Sequence, residues 1–201
     1  ITNEQFEGRG RRQSNWFSTS GKSLTFSFLL LPDLPFDKLE LLPLLTGISI
    51  VRGINIITKS LPGLKWPNDI ILSNKKMGGI LIESKSIKNK MGIVIGIGLN
   101  INESIKDFSI DIQNNATSLY IDSGNEYNLE LILSSILNEF ENLYLNNWHD
   151  IITKWEKYCI HQNHEVTFHN DNKKIKGKFL GITESGYAKI QQNKKIEIFS
   201  S

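Results

Sequence analysis

The sequence predicts an α+β protein: a mixed, mostly antiparallel sheet flanked by helices, followed by a small C-terminal β-barrel-like module. Three observations carry this prediction. Short runs rich in β-branched residues, at 70–72, 79–83 and 93–97, are separated by Gly, Asn and Lys, the pattern of a meander. Residues 129–148 place apolar side chains at helical spacing, with Leu129, Ile132, Leu133, Ile136, Leu137, Phe140, Leu143 and Tyr144 on one stripe. After Cys159 the chain breaks into short strands separated by turn residues.

The elements follow in order. Residues 8–12 are rich in glycine and arginine, and polar residues continue to Lys22, so this start reads as a long cationic loop. Residues 24–29 alternate with a period of two and predict a strand, ended by Pro32 and Pro35. Residues 36–58 are rich in Leu and Ile and predict a helix, with Pro43 marking an early turn or a break. The meander comes next, then a polar, irregular stretch over 102–128 with one apolar island near Leu119. The amphipathic helix over 129–148 is followed by a second from about Asp150 to Tyr158. Strands are expected at 166–168, 174–182, 187–191 and 196–199, with Asp171-Asn172 and Ser185-Gly186 as hairpin turns. The expected division is a domain over 1–160 and a module over 161–201.

Composition bounds the function. The chain has 201 residues, 39% hydrophobic and 22% charged, enough to bury a core without staples. Lys and Arg total 23 against 21 acidic residues, and a net charge of +2 gives no support to nucleic-acid or membrane binding by overall charge. With 1 cysteine no internal disulfide forms, and a reducing cytoplasm is the expected compartment. The first residues are polar and do not read as a signal peptide. No apolar run reaches the roughly 20 residues of a membrane helix.

Four constellations carry chemistry. In Gly8-Arg9-Gly10-Arg11-Arg12, glycines let the backbone turn close to an anion while guanidinium groups hold phosphate or carboxylate in bidentate fashion. A solvated basic loop or a nucleic-acid-binding turn is the alternative. Lys65-Trp66-Pro67-Asn68-Asp69 offers an amide and a carboxylate suited to a nucleotide or hydrated Mg²⁺, or is an ordinary turn. In Lys76-Met77-Gly78-Gly79-Ile80-Leu81-Ile82-Glu83, a lysine enters a strand through two glycines, which brings its ammonium beside a ligand lying against the backbone; a plain surface lysine is the alternative. In Gly96-Ile97-Gly98-Leu99-Asn100, small residues inside an apolar strand mark close approach by a ligand or another backbone.

The order and spacing of these four resemble the biotin–protein ligases. That family carries a Gly-Arg-Gly-Arg-Arg-Gly loop, a Lys-Trp-Pro-Asn-Asp segment, a Lys-x-x-Gly-Ile-Leu-x-Glu strand and a Gly-x-Gly-x-Asn strand. Trp16 and Ser18 match its Trp-x-Ser, and Ala116-Thr117-Ser118-Leu119 is similar to a later family segment. The resemblance covers nearly the whole chain. It implies a class II synthetase-like catalytic fold with an SH3-like C-terminal barrel. It also implies a ligase that forms biotinyl-5′-AMP from ATP, biotin and Mg²⁺, then transfers biotin to a lysine of the biotin carboxyl carrier domain of acetyl-CoA carboxylase.

By the same resemblance, Arg11 holds the α-phosphate and Lys76 reaches the biotin carboxyl oxygen. Gln5, Gly8, Arg9, Gly10, Arg11, Lys76 and Gly79 surround biotin. Arg11, Arg12, Trp16, Asn68, Asp69, Lys76 and Asn100 surround the nucleotide, with Trp16 flanking the adenine and Asp69 on the Mg²⁺ side. Family members often pair through the sheet, so a homodimer is an expectation. DNA binding is not supported by this chain.

Gln13-Ser14 stand where the family has Gly-Arg, which implies a less tightly closed loop. The family's Ser-Thr-Asn segment is absent, so the chain is expected to be a piece of a longer one.

Other signals read as structural. Gly21-Lys22-Ser23 lacks the P-loop glycine five residues earlier, where Trp16 stands. Cys159, His161, His164 and His169 match no zinc spacing. Lys173-Lys174 and Lys194-Lys195 read as hairpin ends, or as a greeting surface for an acidic acceptor. Competing functions are a lipoate ligase or octanoyl transferase, related in fold but usually without the Arg loop and Trp-Pro-Asn-Asp pair, and a nucleic-acid-binding protein, which needs a broader basic face.

Overall fold

A computed structural model describes residues 1–11, 14–87, 90–146, 148–170, 173–193 and 195–200. The chain opens with a two-stranded ribbon, β1 (Gly8–Arg9) and β2 (Asn15–Trp16). It continues through β3 (Ser23–Leu30), α1 (Phe36–Leu39), α2 (Leu42–Thr58), β4 (Gly63–Lys65), β5 (Asp69–Leu72), β6 (Lys75–Ile87) and β7 (Lys90–Asn100). Then come α3 (Leu119–Ser123), α4 (Leu129–Asn146) and α5 (Ile151–Glu156), and finally β8 (Glu165–Asn170), β9 (Lys173–Ile182), β10 (Ala188–Gln192) and β11 (Lys195–Phe199).

β3 to β7 form a five-stranded sheet in the order β3-β7-β6-β5-β4, with every neighbouring pair antiparallel. The α+β expectation therefore holds. Period-two alternation splits the sheet into two faces. Leu24, Phe26, Ile80, Ile93, Ile95, Ile97 and Leu99 are buried and belong to the main core, which α2 and α4 complete. The other face carries Thr25 opposite Gly98, Gly98 opposite Gly79, and Gly79 opposite Asp69.

The helix expected over 36–58 is two helices. Pro43 falls in the first turn of α2, where its missing N–H costs nothing, so it starts the long helix instead of kinking it. α2 crosses α4 at close range: a Cβ on Gly53 would lie 2.7 Å from the backbone of Ile136. Lys59, in the left-handed conformation, ends α2 with its N–H on the Asn55 carbonyl. The short strand β4 and the helix α3 lie where no regular element was expected.

The C-terminal strands form a four-stranded antiparallel sheet in the order β11-β10-β9-β8. Phe168 and Phe199, on its two outer strands, meet edge-on at 5.3 Å, so the sheet curls. Among the described residues no β11–β8 pairing closes it into a barrel. Asp171-Asn172 lies outside the described residues, whereas Gly186, at φ 78°, makes the second expected turn. This module is tied to the rest of the chain by Trp66 Nε1, between β4 and β5, which donates to the Gly186 carbonyl at 3.1 Å, and by the Tyr187 hydroxyl, which donates to Glu40 between α1 and α2. Backbone bonds from Leu64 to Tyr158 and from Ile160 to Leu64 reinforce the joint.

Candidate functional site

One cavity of about 390 Å³ opens over the glycine-bearing face of the large sheet. Its floor is the row Thr25, Gly98, Gly79 and Asp69, with Ser27, Gly96 and Leu81 beside it. Side chains on most of these positions would fill the space, which is why glycines interrupt otherwise apolar strands. The glycine–arginine loop forms one wall and the 66–69 segment, with a cis Trp66–Pro67 peptide, forms another.

Lys76 reaches this cavity because of a bulge. Counting back from Gly79 by simple alternation puts position 76 on the core face. The register with β5 jumps from Ile70–Gly78 to Ile71–Lys76, leaving Met77 as an extra residue, fully buried. The bulge re-aims Lys76 to the cavity side. Its Nζ lies 3.7 Å from where a Cβ on Gly79 would stand and 2.6 Å from Asp69 Oδ1. The backbone at Lys76 is held from behind: its N–H donates to the Asn115 carbonyl at 2.8 Å, and Thr117 donates to its carbonyl at 2.9 Å.

Arg11 donates to Asn68 Oδ1 at 3.3 Å, so the two cations engage consecutive residues. Asn68 is fixed in turn by donating to the Ile80 carbonyl at 2.6 Å. Arg9 meets Glu83 at 3.4 Å across the cavity mouth, an exposed pair of small energetic weight. Ser14 closes the loop: its hydroxyl donates to the Arg11 carbonyl at 2.8 Å and its own carbonyl accepts from Gly10 at 2.7 Å. The substituted position 14 thus makes a specific turn contact.

Of the expected site residues, Gln5, Arg9, Gly10, Arg11, Trp16, Asn68, Asp69, Lys76 and Gly79 line the cavity together. Arg12 lies outside the described residues. Gly8 sits behind the wall, where any Cβ would lie 2.4 Å from the Trp16 carbonyl oxygen and 2.8 Å from Gln5 Oε1. Asn100 is buried below the floor and donates to the Thr117 carbonyl at 3.0 Å, so it braces the strap behind Lys76 and does not line the cavity. The sequence reading missed Thr25, Ser27, Phe168 and Ser200, which also line it. The first two were legible as small polar residues in an apolar strand. The last two come from the C-terminal module, Phe168 on β8 and Ser200 just after β11, and nothing local announces their reach.

Cys159 and His161 lie apart from this cavity. Burial pushes the Cys159 thiol up to about 11 and the His161 imidazole down to about 4, so both are neutral at pH 7. His161 packs its ring 4.2 Å from that of Phe179. Among the described residues no three His, Cys, Asp or Glu side chains are grouped to hold a metal ion. No described helix is long and apolar enough to cross a membrane.

Residues 1–100 match the model of the biotin/lipoate A/B protein ligase family, and residues 161–201 match that of the biotin protein ligase C-terminal domain. The fold resembles that of the biotin protein ligase from Aquifex aeolicus in complex with biotin and ATP, with a TM-score of 0.82 and 32% identity over 99% of this chain and 84% of that one. The bifunctional ligase/repressor BirA of Bacillus subtilis is 31% identical over 98% of this chain. The biotin–acetyl-CoA-carboxylase ligase of Mycobacterium tuberculosis is 30% identical over 59% of it. The chain spans 62% of the length of the Bacillus relative.

Proposed function

The chain belongs to the biotin protein ligase family, and from that premise we propose that it joins biotin to ATP and passes the biotinyl group to a lysine of a carrier domain. The observation that carries the reading is the convergence of Arg11 and Lys76 on adjacent residues of one cavity. Support also comes from the Aquifex relative, whose structure holds biotin and ATP.

The chemistry needs two anions brought together. An oxygen of the biotin carboxylate attacks the α-phosphorus of ATP, the bond to the bridging oxygen breaks, and pyrophosphate leaves. Fixed cations in a sheltered site stabilise the charge that develops. In this reading Lys76 leaves Asp69 for the carboxylate, and Arg11 leaves Asn68 for the α-phosphate. Gln5, Gly8, Arg9, Gly10 and Gly79 shape the biotin side, and Trp16, Asn68 and Arg12 the nucleotide side. Asn100, buried below the floor, acts indirectly, by bracing the strap behind Lys76. The ε-amine of the acceptor lysine then attacks the acyl carbon, an amide forms, a proton is lost and AMP departs.

Asp69 offers one carboxylate beside Asn68 on the nucleotide wall, which fits an ion that keeps most of its waters and is carried chiefly by the phosphates. A hydrated Mg²⁺ held by Asp69 and the nucleotide would neutralise phosphate charge. Residues 1–160 form the biotin- and ATP-binding unit in this reading, and 161–201 a C-terminal module that closes one side of the cavity. The acceptor is a biotin carboxyl carrier domain of an acetyl-CoA carboxylase. The outer edge of β3 beyond Thr25, unpaired among the described residues, offers a route to a homodimer.

The test is exchange of labelled pyrophosphate into ATP. Exchange that requires biotin and is not supported by lipoate, followed by biotin transfer to a carrier domain, is expected. Exchange driven by lipoate or octanoate instead would assign the chain to the neighbouring branch of the family.

A further inference from the structure

We propose that the Thr25 hydroxyl is a specificity-determining contact, hydrogen-bonding the polar head of the bound acid once the Trp16 ring lifts away from Gly98; this rests on the biotin-ligase reading above. Directly opposed residues of an antiparallel pair project on the same face. Thr25, Gly98 and Gly79 therefore form a row across the cavity floor. Each position has a distinct cover. The Lys76 ammonium stands over Gly79, 3.7 Å from where its Cβ would be. The Trp16 indole stands over Gly98, where a Cβ would lie 2.4 Å from Cε2 and 2.7 Å from Nε1. Thr25 ends the row, its backbone fixed by the Thr2 N–H on its carbonyl at 3.1 Å.

Two polar atoms on this floor are orphaned. Thr25 Oγ1 and Trp16 Nε1 are both buried, and neither has a hydrogen-bond partner among the described residues. Native structures satisfy nearly all such groups. Of the two, Trp16 Nε1 moves with its ring, whereas Thr25 Oγ1 stays on the strand, and in a cavity that already holds the cations for an acid it points to a ligand group as its partner.

The spacing selects that group. From Gly79 to Thr25 is two strand separations, about 10 Å. An acid with its carboxylate at Lys76 and its chain over the glycines places its far end at Thr25. The cyclic urea of biotin offers N–H donors and a carbonyl acceptor there, and a hydroxyl serves as either donor or acceptor. An acid ending in a dithiolane or a methyl group leaves the hydroxyl unpaired in a desolvated place, and a polar site rejects a ligand that cannot pair with it. Lifted from Gly98, Trp16 is free to flank the nucleotide.

The experiment compares Thr25→Val and Thr25→Ser with the unaltered protein by calorimetric titration with biotin, by the KM for ATP in pyrophosphate exchange, and by thermal unfolding. Loss of one ligand hydrogen bond is expected to weaken biotin binding roughly fivefold or more in Thr25→Val, while Thr25→Ser stays within about twofold. The KM for ATP is unchanged, the discrimination between biotin and lipoate narrows, and Tm does not fall, because the valine removes an orphaned hydroxyl. Unaltered biotin affinity in Thr25→Val overturns the proposal, as does an equal loss for biotin and ATP with a lowered Tm. If Thr25→Val does not fold, Thr25→Ala read against Thr25→Ser makes the same comparison. Failure of the family reading is separate and visible first: the unaltered protein then shows no biotin-dependent exchange.

Discussion

Arg11 and Lys76, from the opening loop and the middle of the sheet, engage neighbouring residues: Arg11 donates to Asn68 at 3.3 Å, and Lys76 sits 2.6 Å from Asp69. Each cation is thus parked on a neutral or acidic group that an incoming anion can replace. The separation of partners also keeps the two cations from sharing one carboxylate. Removing either side chain leaves the core untouched, since both are at the cavity wall. Arg11→Ala and Lys76→Ala are each expected to lower adenylate formation by more than roughly tenfold with an unchanged circular dichroism spectrum. Wild-type adenylation in either variant would remove that residue from the mechanism.

The glycines of the floor should respond differently to one added methyl. At Gly79 a Cβ meets nothing closer than 3.7 Å, so Gly79→Ala should fold normally and weaken biotin binding by intruding on the ligand. At Gly98 the Cβ would collide with the Trp16 ring at 2.4 Å. Gly98→Ala should displace Trp16 and shift tryptophan emission to longer wavelength before any ligand is added. Identical emission in the two variants would show that Trp16 does not rest on Gly98.

Helix crossing sets a third expectation. The Gly53 position abuts the Ile136 backbone, which cannot rotate away as a side chain can. Gly53→Ala should destabilise the protein by about 1–3 kcal/mol in urea unfolding, the usual cost of overpacking a core. A stability equal to wild type would mean that α2 and α4 shift apart freely.

Trp66 joins the two sheets through its bond to the Gly186 carbonyl and its edge contact with Phe168 at 5.8 Å. One hydrogen bond and one aromatic pair are together worth about 2 kcal/mol. Trp66→Ala should speed amide exchange across β9 and β10 more than across β6 and β7. Uniform exchange through both sheets would place the loss in global stability instead.

His161 gives a pH dependence of definite sign. Its pKa is about 4 in the folded protein, because burial disfavours the charged ring, against an ordinary value near 6.5. Between those values the unfolded chain binds the extra proton, so stability is full above about 6.5 and falls as pH drops toward about 4. Glu103 opposes this: burial raises its carboxyl, and its stabilising protonation is lost as pH rises. His161→Gln should flatten the acid-side decline in Tm. A decline as steep as in the unaltered protein would shift the cause to other groups.

Periodicity and punctuation are local, and they were legible. The apolar stripe of α4, the β-branched runs of β5 to β7 and the turn at Gly186 all stand where the residues put them. Gly79, Gly96 and Gly98 announced close approach without saying what approaches. The four motifs, taken in order and spacing, sufficed to mark the family, and the Arg loop and the Trp-Pro-Asn-Asp segment supply most of the cavity wall.

Pairing is not local, and the rest followed from it. The face of Lys76 depends on the Met77 bulge, which exists only as a mismatch between β6 and β5. The place of Thr25 depends on β3 lying beside β7, its partner in the sheet but far along the chain. Asn100 looked like a ligand group at a strand end, yet the strap at Thr117 takes its amide below the floor. Phe168 and Ser200 reach the cavity only because Trp66 anchors the second sheet against the first. A residue's type and its neighbours determine which way the backbone runs, but which strand lies next to it is decided by the burial of the whole core, and that placement sets the chemistry each side chain meets.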